Sequence, residues 1–189
     1  MNNIFFTSDT HFGHRLMLNA ERVRARPWAS LEEMNEGLIE NWNSTVSERD
    51  TVYHLGDFSF LKSGPTLDVL RRLNGKIHLI RGNHDKSLNQ YILAHFASVS
   101  DLKEVRVGEY RIICSHYALM TWDKMYRGSW MLHGHSHGSL PCDLTKRRLD
   151  VGVDTPRANY RAVAFDRLER EMQMHGFTPI DHHGENYQD

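Results

Sequence analysis

The sequence predicts a single domain of the mixed α/β class in which two β-sheets pack together. In its first half, short apolar runs alternate with helix-like segments, an order typical of a sheet with helices on its faces. In its second half, shorter apolar runs follow one another closely, as in a mixed or antiparallel sheet. No repeat, low-complexity tract or linker divides the chain, so we expect residues 1–189 to form one domain with a flexible tail from about residue 178.

Three strands and three helices are predicted in the first half of the chain. The strands lie in the segments NIFFTS, TVYHLG and KIHLIRG. A helix is predicted over Ser30–Asn43, because Ser30 and Glu33 form a capping box ahead of apolar residues at helical spacing. Two further helices are predicted over Thr66–Leu73 and Lys86–Phe96.

Shorter elements are predicted in the second half. Strands are expected at about residues 103–107, 110–114, 130–133, 148–153 and 161–165, followed by a helix over Asp166–Met174. Cys114 lies inside the apolar run RIICSH, which predicts a buried apolar side chain rather than a reactive thiol.

Composition and charge exclude several classes of protein. Lys and Arg total 23 and Asp and Glu total 24, so a net charge of -1 supplies no general attraction to nucleic acid or to a membrane. Two cysteines are too few for a disulfide framework, although a single structural disulfide stays open. The start MNNIFFTSDTH has neither a basic region nor a long apolar run, so we expect no signal peptide or membrane span and a cytoplasmic location.

Histidine is the most over-represented residue, with 13 copies where average usage predicts about 4. Many of these copies and several acids directly follow apolar runs. The clusters are Asp9-Thr10-His11, Asp57, Asn83-His84-Asp85, His116 and His135-Ser136-His137. Because ligands collect beyond the carboxyl ends of strands in α/β sheets, we expect these clusters to meet at one edge.

Taken singly, most of these clusters have ordinary structural explanations. Asp9 with His11, or Gly56 with Asp57, is a common turn sequence, and His116 alone is as expected for a partly buried histidine. The tetrapeptide Gly82-Asn83-His84-Asp85 is different, since chance predicts it in about one such chain in a thousand. The combination, with each cluster at a strand end, is what favours a metal site.

The motifs resemble those of the calcineurin-like metallophosphoesterase superfamily, which run D-x-H, G-D, G-N-H-[D/E], H and G-H-x-H. All of them occur in order between Asp9 and His137. The resemblance implies a four-layer α/β/β/α sandwich of two mixed β-sheets flanked by helices, with a dinuclear metal site at the sheet edge. It also implies a metallophosphoesterase that hydrolyses phosphomonoesters or phosphodiesters, nucleotides or cyclic nucleotides among them, by attack of a metal-bridging hydroxide.

The resemblance also implies roles for individual residues. The first divalent ion would be held by Asp9, His11 and His137, the second by Asn83, His116 and His135, and Asp57 would bridge both. His84 would be no ligand but the proton donor to the leaving group. The first motif continues as Asp-Thr-His-Phe-Gly-His, which is similar to a small prokaryotic and phage-type subgroup with poorly defined substrates.

The chemistry asks for this mixture of residues independently of the family. Two divalent ions about 4 Å apart can share a hydroxide and bind the phosphate oxygens if a carboxylate such as Asp57 lies between them. Imidazole, carboxylate and amide ligands without thiolate favour manganese, iron, nickel, cobalt or zinc over copper(I) or an iron–sulfur cluster. We expect two divalent ions, with manganese as the first choice. Histidine is the commonest general acid in enzymes, so His84 is suited to protonate a leaving alkoxide.

Residues around the motifs carry further expectations. His14 and Arg15 are candidate substrate contacts, with loop stabilisation an equal alternative for His14. Arg15, Arg22, Arg24 and Arg26 form a basic segment that either attracts a second phosphate or is a solvated surface. Phe58 and Phe60 are interpreted as packing residues, and they stand where protein phosphatases of the superfamily carry G-D-x-x-D-R, so we do not expect protein phosphatase activity. His182 and His183 are assigned to the tail.

Three other functions are considered. A scaffold or binding protein on the same fold would be expected to have lost ligands, whereas the motifs here are complete. A nuclease is disfavoured by the balanced charge. Metal storage centred on His133 to His137 would leave the other clusters unexplained. A small phosphate ester is therefore the expected partner, and the sequence leaves the oligomeric state open.

Overall fold

The computed structural model describes residues 2–19 and 25–178. Its strands are β1 (Ile4–Thr7), β2 (Thr51–His54), β3 (Lys76–Ile80), β4 (Ser98–Ser100), β5 (Leu102–Val107), β6 (Tyr110–Ser115), β7 (Trp130–His133), β8 (Arg148–Asp150) and β9 (Val163–Ala164). Its α-helices are α1 (Leu31–Asn43), α2 (Ser63–Arg72), α3 (Gln90–Leu93) and α4 (Phe165–Gln173). Short 3₁₀ turns occur at Arg15–Leu18, Asp85–Ser87, Met125–Arg127 and Leu144–Lys146.

The strands form two mixed sheets. The first has the order β4-β3-β2-β1-β9, in which β1 to β4 run parallel and β9 pairs antiparallel with β1. The second has the order β5-β6-β7-β8, with an antiparallel β5–β6 pair followed by parallel pairs. This architecture confirms the predicted mixed α/β class with two mixed sheets and helices.

Side-chain alternation along the strands separates two main cores. Phe5 on β1 joins the core shared with α1 and α2, whereas the next residue, Phe6, joins the core between the two sheets. On β6, Cys114 faces the inter-sheet core and Ile113 faces outward. A small cluster with Trp122 from the β6–β7 connection covers that outer face. The sheets are thus fixed face to face, which fixes the strand ends that carry the polar clusters.

The helix predicted over Lys86–Phe96 is wrong in its extent. The chain instead makes a 3₁₀ turn at Asp85–Ser87, extends at Leu88, and restarts as the one-turn helix α3, whose first turn Asn89 caps. Buried Asp85 accepts hydrogen bonds from backbone amides outside its own segment, so this residue is held inward and a straight helix cannot begin there.

Other elements follow the predictions within a few residues. Ser30 caps α1 by accepting from the Glu33 amide at 3.1 Å. Strand β4 was not predicted, because its three residues, SVS, are too few to show alternation. Cys114 is buried as predicted, and burial raises the pKa of its thiol. Among the described residues, no helix is long and apolar enough to cross a membrane.

The flexible tail predicted from about residue 178 lies, apart from Thr178, outside the described residues. Thr178 still donates its amide to the Thr145 carbonyl oxygen at 2.8 Å. His182 and His183, like Arg22 and Arg24, lie outside the described residues.

Candidate metal centre

The five polar clusters meet at one edge of the molecule. They follow β1, β2, β3, β6 and β7, and parallel strands deliver their carboxyl ends to a common edge. Two groups of potential ligand atoms result, each with its members within 4.8 Å of one another. The groups are Asp9, His11 and His137, and Asp57, His116 and His135.

Asn83 completes the second group. Its Oδ1 lies 3.1 Å from His116 Nε2, and the Tyr117 hydroxyl donates to the same oxygen at 3.3 Å. All seven predicted ligands are therefore brought to one edge, in the two sets that the sequence motifs implied.

Asp57 belongs to the second group and is also close to the first. Its Oδ2 is 3.5 Å from His11 Nε2 and 3.5 Å from His116 Nε2, one nitrogen from each group. The residue is only 2% exposed, so this carboxylate has almost no access to bulk water. A buried carboxylate equidistant from two ligand sets is suited to sharing its oxygens between two cations.

Contacts at Nδ1 hold two of the imidazoles in place. His116 Nδ1 donates to the Leu55 carbonyl oxygen at 2.7 Å, and His137 Nδ1 lies 2.7 Å from Asp154 Oδ2. His11 Nε2 is buried and has no hydrogen-bond partner among the residues in the described ranges. Because a buried unpaired nitrogen is costly, its lone pair is best explained by a cation, and the nitrogen and oxygen donor set fits one.

The backbone at the centre is held in an unusual conformation. Asp9, His11, Asp57, His135 and His137 all have positive φ angles, between 48° and 66°. Each such residue costs about 1–3 kcal/mol and persists only where its surroundings impose it, often at functional sites. The local folding therefore presents these side chains inward at the expense of backbone strain.

One glycine makes the close approach possible. A Cβ added to Gly56, which has φ +95°, would lie 2.5 Å from the Gly82 amide nitrogen and 2.6 Å from His116 Nδ1. Any larger residue would separate the loops that carry Asp57, Asn83 and His116.

Burial and neighbouring charges shift the pKa values of Asp9 and His11 in the first group. Burial raises the pKa of Asp9 to about 8, partly offset by neighbouring His137 and reinforced by Asp150 and Asp57. Burial also lowers the pKa of His11, and His137 and Arg26 lower it further. A bound cation would favour the ionised Asp9 carboxylate and the neutral His11 imidazole, which are the forms that bind a metal.

Two candidate substrate contacts differ in position. His14 lines a cavity of about 230 Å³ over the centre, together with His84 and Leu16. Arg15 is exposed and does not form part of the described wall of this cavity. The role of each as a substrate contact stays a prediction.

Phe58 and Phe60 have different surroundings. Phe58 is fully buried, as expected for a packing residue. Phe60 is 38% exposed and stacks on His14, with ring centroids 3.8 Å apart, and lies 4.6 Å from the His84 ring. Phe60 is therefore at the entrance to the centre rather than in the core. Strand alternation would place residues 58 and 60 on the same face, so the sequence did not indicate this difference.

A comparison with protein families identifies the fold family. Residues 2–148 match the model of the calcineurin-like phosphoesterase superfamily domain. The chain belongs to the calcineurin-like phosphoesterase superfamily. Membership supports a phosphoesterase function. The superfamily generally binds divalent metals, in agreement with the two groups of potential ligands.

Relatives of this superfamily member include archaeal and phage proteins. An uncharacterized protein of Methanocaldococcus jannaschii is 32% identical over 178 residues, covering 92% of this chain and 93% of the relative. The Gene 66 protein of Mycobacterium phage L5 is 29% identical, and the match covers 82% of this chain and 87% of the phage protein. A crystal structure of an Aquifex aeolicus protein of unknown function has a TM-score of 0.66 at 22% identity, covering 90% and 99%, and shows the shared fold alone.

Arg26 departs from the sequence-based interpretation of this phosphoesterase-family chain. It is 3% exposed and forms a bidentate ion pair with Asp154, with distances of 2.8 and 2.9 Å. It also donates hydrogen bonds to the Asp9 and Thr10 carbonyl oxygens at 2.7 Å each. Describing Arg26 as a solvated or phosphate-attracting residue was wrong, because Asp154 and the carbonyl oxygens compensate its buried charge. The pair holds the Asp9 loop and, through Asp154, orients His137.

Two supporting acids were not assigned roles from the sequence. Asp85 accepts from the amides of Asp57, Phe58 and Gly82 at 2.8 to 2.9 Å and so ties two loops of the centre together. Asp154 follows an apolar run after β8, the same sign that marked the other clusters.

His54 supports the centre from below. It is fully buried, its Nε2 lies 2.9 Å from Thr10 Oγ1, and its Nδ1 accepts from the Gly56 amide at 3.2 Å. Burial lowers the pKa of His54 to about 3, so the folded protein keeps this imidazole neutral.

This neutral histidine predicts a dependence of stability on pH. Below pH about 6.5 the unfolded chain takes up a proton at His54 that the folded chain does not, so acidification favours unfolding. Between pH 7 and pH 5 this group alone is expected to remove about 2 kcal/mol of stability, which His54→Gln should abolish. Urea unfolding at both pH values measures the difference, and an equal loss in parent and variant would contradict it.

Proposed function

We propose that the chain is a metal-dependent phosphoesterase that hydrolyses phosphomonoesters or phosphodiesters, nucleotides and cyclic nucleotides among the candidates. The supporting observation is Asp57, whose Oδ2 is 3.5 Å from a nitrogen of each ligand group. Membership of the phosphoesterase superfamily supports the reaction class. Both cysteines are free thiols, which is consistent with the cytoplasmic location expected from the sequence.

Two divalent ions are the proposed cofactors, manganese first, with iron, nickel, cobalt and zinc as alternatives. One would be held by Asp9, His11 and His137, the other by Asn83, His116 and His135, and both by Asp57. Ions bound there would lower the pKa of a bound water molecule to about 7, by about 8 to 9 units, and would offset the negative charge of the phosphate. Asp57 and the buried imidazoles contribute by fixing this arrangement before the substrate arrives.

His84 is the proposed proton donor. Its Nε2 lies 3.9 Å from Asp57 Oδ2, its backbone amide donates to Asp57 Oδ1 at 2.9 Å, and its side chain is 43% exposed at the entrance. From there the imidazole can pass its proton to the leaving oxygen as the P–O bond breaks. The stacked His14 and Phe60 rings beside it restrict how the ester can enter.

Room beside the centre favours a diester. A neighbouring cavity of about 380 Å³ shares Asn83 and His116 with the centre and is also lined by Lys86 and Tyr117. Arg81 in the same wall is paired with Asp101, but within residues 2–19 and 25–178 no ion pair engages Lys86. The second substituent of a diester, or a second phosphate, would fit next to this ammonium group.

Lys86→Gln is expected to raise KM for bis-para-nitrophenyl phosphate or a dinucleotide by about 3- to 10-fold, because one charge-assisted contact is lost. The kcat/KM for para-nitrophenyl phosphate should stay within about twofold, because this monoester does not reach the neighbouring cavity. Lys76→Gln, at the opposite end of β3 and exposed, is the matched control. Equal effects of Lys86→Gln on mono- and diesters would contradict the diester subsite.

The activity itself is tested with a panel of metals and esters. The protein is loaded with Mn²⁺, Ni²⁺, Zn²⁺ or Mg²⁺ and assayed with para-nitrophenyl phosphate, bis-para-nitrophenyl phosphate and cyclic nucleotides. Metal-dependent hydrolysis of at least one ester is expected. Absence of hydrolysis with every metal would favour the alternative, a non-catalytic scaffold or binding protein on this fold. More than two tightly bound ions per chain would favour storage.

A further inference from the structure

A further cavity lies at the opposite end of the second sheet from the candidate metal centre. It has a volume of about 490 Å³ and is entered beside the starts of β6 and β7, whereas the centre lies beyond their ends. We call it the basic cavity. Its walls include Lys124, Arg127, Arg147, Tyr110, Trp130 and Phe177. A concave site of this size can hold a small organic ligand.

The cations of the basic cavity are incompletely neutralised. Arg111 in its wall is paired with Glu104 and Asp123 at 3.1 and 3.0 Å. In the described part of the chain, by contrast, no ion pair engages Lys124, Arg127 or Arg147. Glu109 is the single acid in the described wall, so positive charge prevails there.

Arg147 gives the clearest indication of a missing partner. Its Nη1 is buried and makes no hydrogen bond to any residue that the structure describes, although a guanidinium normally finds acceptors for its buried N–H groups. Arg147 and Lys124 also have left-handed backbone conformations, with φ 59° and 57°. Such strain is retained where a side chain must point in a required direction, and here both side chains line the basic cavity.

Aromatic and apolar side chains form the rest of the wall. The rings of Tyr110 and Trp130 lie 4.7 Å apart, and Met172 and Phe177 line the same space. The Arg147 guanidinium lies 5.7 Å from the centre of the Phe177 ring. Fixed rings beside unpaired cations suit a ligand that combines a planar ring with an anionic group.

We propose that the basic cavity binds a small anion carrying a planar ring, of the nucleoside monophosphate class, at a site separate from the metal centre. Arg147, Lys124 and Arg127 would bind the phosphate, and the aromatic wall would contact the base. The proposal does not depend on the activity of the metal centre, because the residues of the two sites come from opposite ends of β6 and β7.

The test is calorimetric titration of the full chain with adenosine 5′-monophosphate, adenosine and inorganic phosphate as probes. A chelator is present so that the metal centre does not contribute. One molecule of the nucleotide is expected to bind per chain, at least about tenfold more tightly than either adenosine or phosphate, because the cavity offers contacts to both parts. No nucleotide binding, or binding no tighter than that of adenosine, would overturn the proposal.

Variants locate the binding. The double variant Lys124→Asn, Arg147→Asn removes two positive charges, and asparagine tolerates the left-handed backbone at both positions. It should weaken nucleotide binding by about a hundredfold. Arg127→Gln alters an exposed residue, so it leaves folding intact and should weaken binding by about 3- to 10-fold. Arg71→Gln, 61% exposed on α2, is the matched control, and circular dichroism melting checks the fold. Undiminished binding in the first two variants, or equal weakening in Arg71→Gln, would overturn the assignment.

Discussion

Asp57→Asn is expected to lower kcat for any hydrolysed ester by about 10³-fold or more, since loss of a shared carboxylate removes several kcal/mol of charge stabilisation. The substitution keeps the size of the side chain and one of its oxygens, so the loops around it should hold their positions. Steady-state hydrolysis with saturating Mn²⁺ measures the change. Metal content should fall below two ions per chain, because both proposed metal sites lose the negatively charged carboxylate that they share.

The stability of the metal-free variant separates a functional from a structural role. Asp57 is one of the charges that raise the pKa of Asp9, so removing it relieves repulsion between buried carboxylates. The melting temperature in chelator should therefore be no lower than that of the parent. Asp68→Asn, at a position 73% exposed on α2, is the matched control and should retain full activity. A variant at Asp57 that keeps the parent's kcat would refute the bridging role.

His84→Ala is expected to lower kcat by about 10²- to 10⁴-fold, the usual contribution of a positioned general acid. The substitution removes the imidazole but keeps the backbone amide that donates to Asp57 Oδ1. Metal content should therefore stay at the parent's value, which distinguishes His84 from the predicted ligands. The loss should be largest for esters with poor leaving groups, because these depend most on protonation.

A histidine on the surface provides the comparison for His84. His95→Ala alters an exposed side chain whose Nδ1 donates to the Tyr91 carbonyl oxygen in its own turn, and kcat should be unchanged. Equal turnover by the His84 variant and its parent would remove His84 from the mechanism. Loss of bound metal in that variant would instead indicate a ligand role.

The convergence of the ligands could be predicted because it follows from strand direction. Each cluster directly follows a β-like run, and parallel strands place such residues at one edge without further information. Asp9 and His135 are an example. They are 126 positions apart in the sequence, yet the Asp9 carboxylate accepts a hydrogen bond from the His135 backbone amide at 3.0 Å. The same rule, applied to the run before Asp154, would have added this acid to the centre.

Other features could not be predicted because their cause lies far away in the sequence. The burial of Arg26 depends on Asp154, 128 residues further on, and no local pattern distinguishes a buried arginine from a solvated one. The break after Asp85 arises from amides on another loop, which override the local helical preference. The basic cavity combines residues from four separate segments, so neither spacing nor composition indicates it.

Anomalous diffraction from crystals grown with Mn²⁺ tests whether Asp57 is shared by two cations at the edge of the sheets. We expect two anomalous peaks, one against Asp9, His11 and His137 and the other against Asn83, His116 and His135, with the Asp57 carboxylate contacting both. A single peak that does not contact Asp57, or manganese bound only elsewhere on the protein, would contradict this expectation.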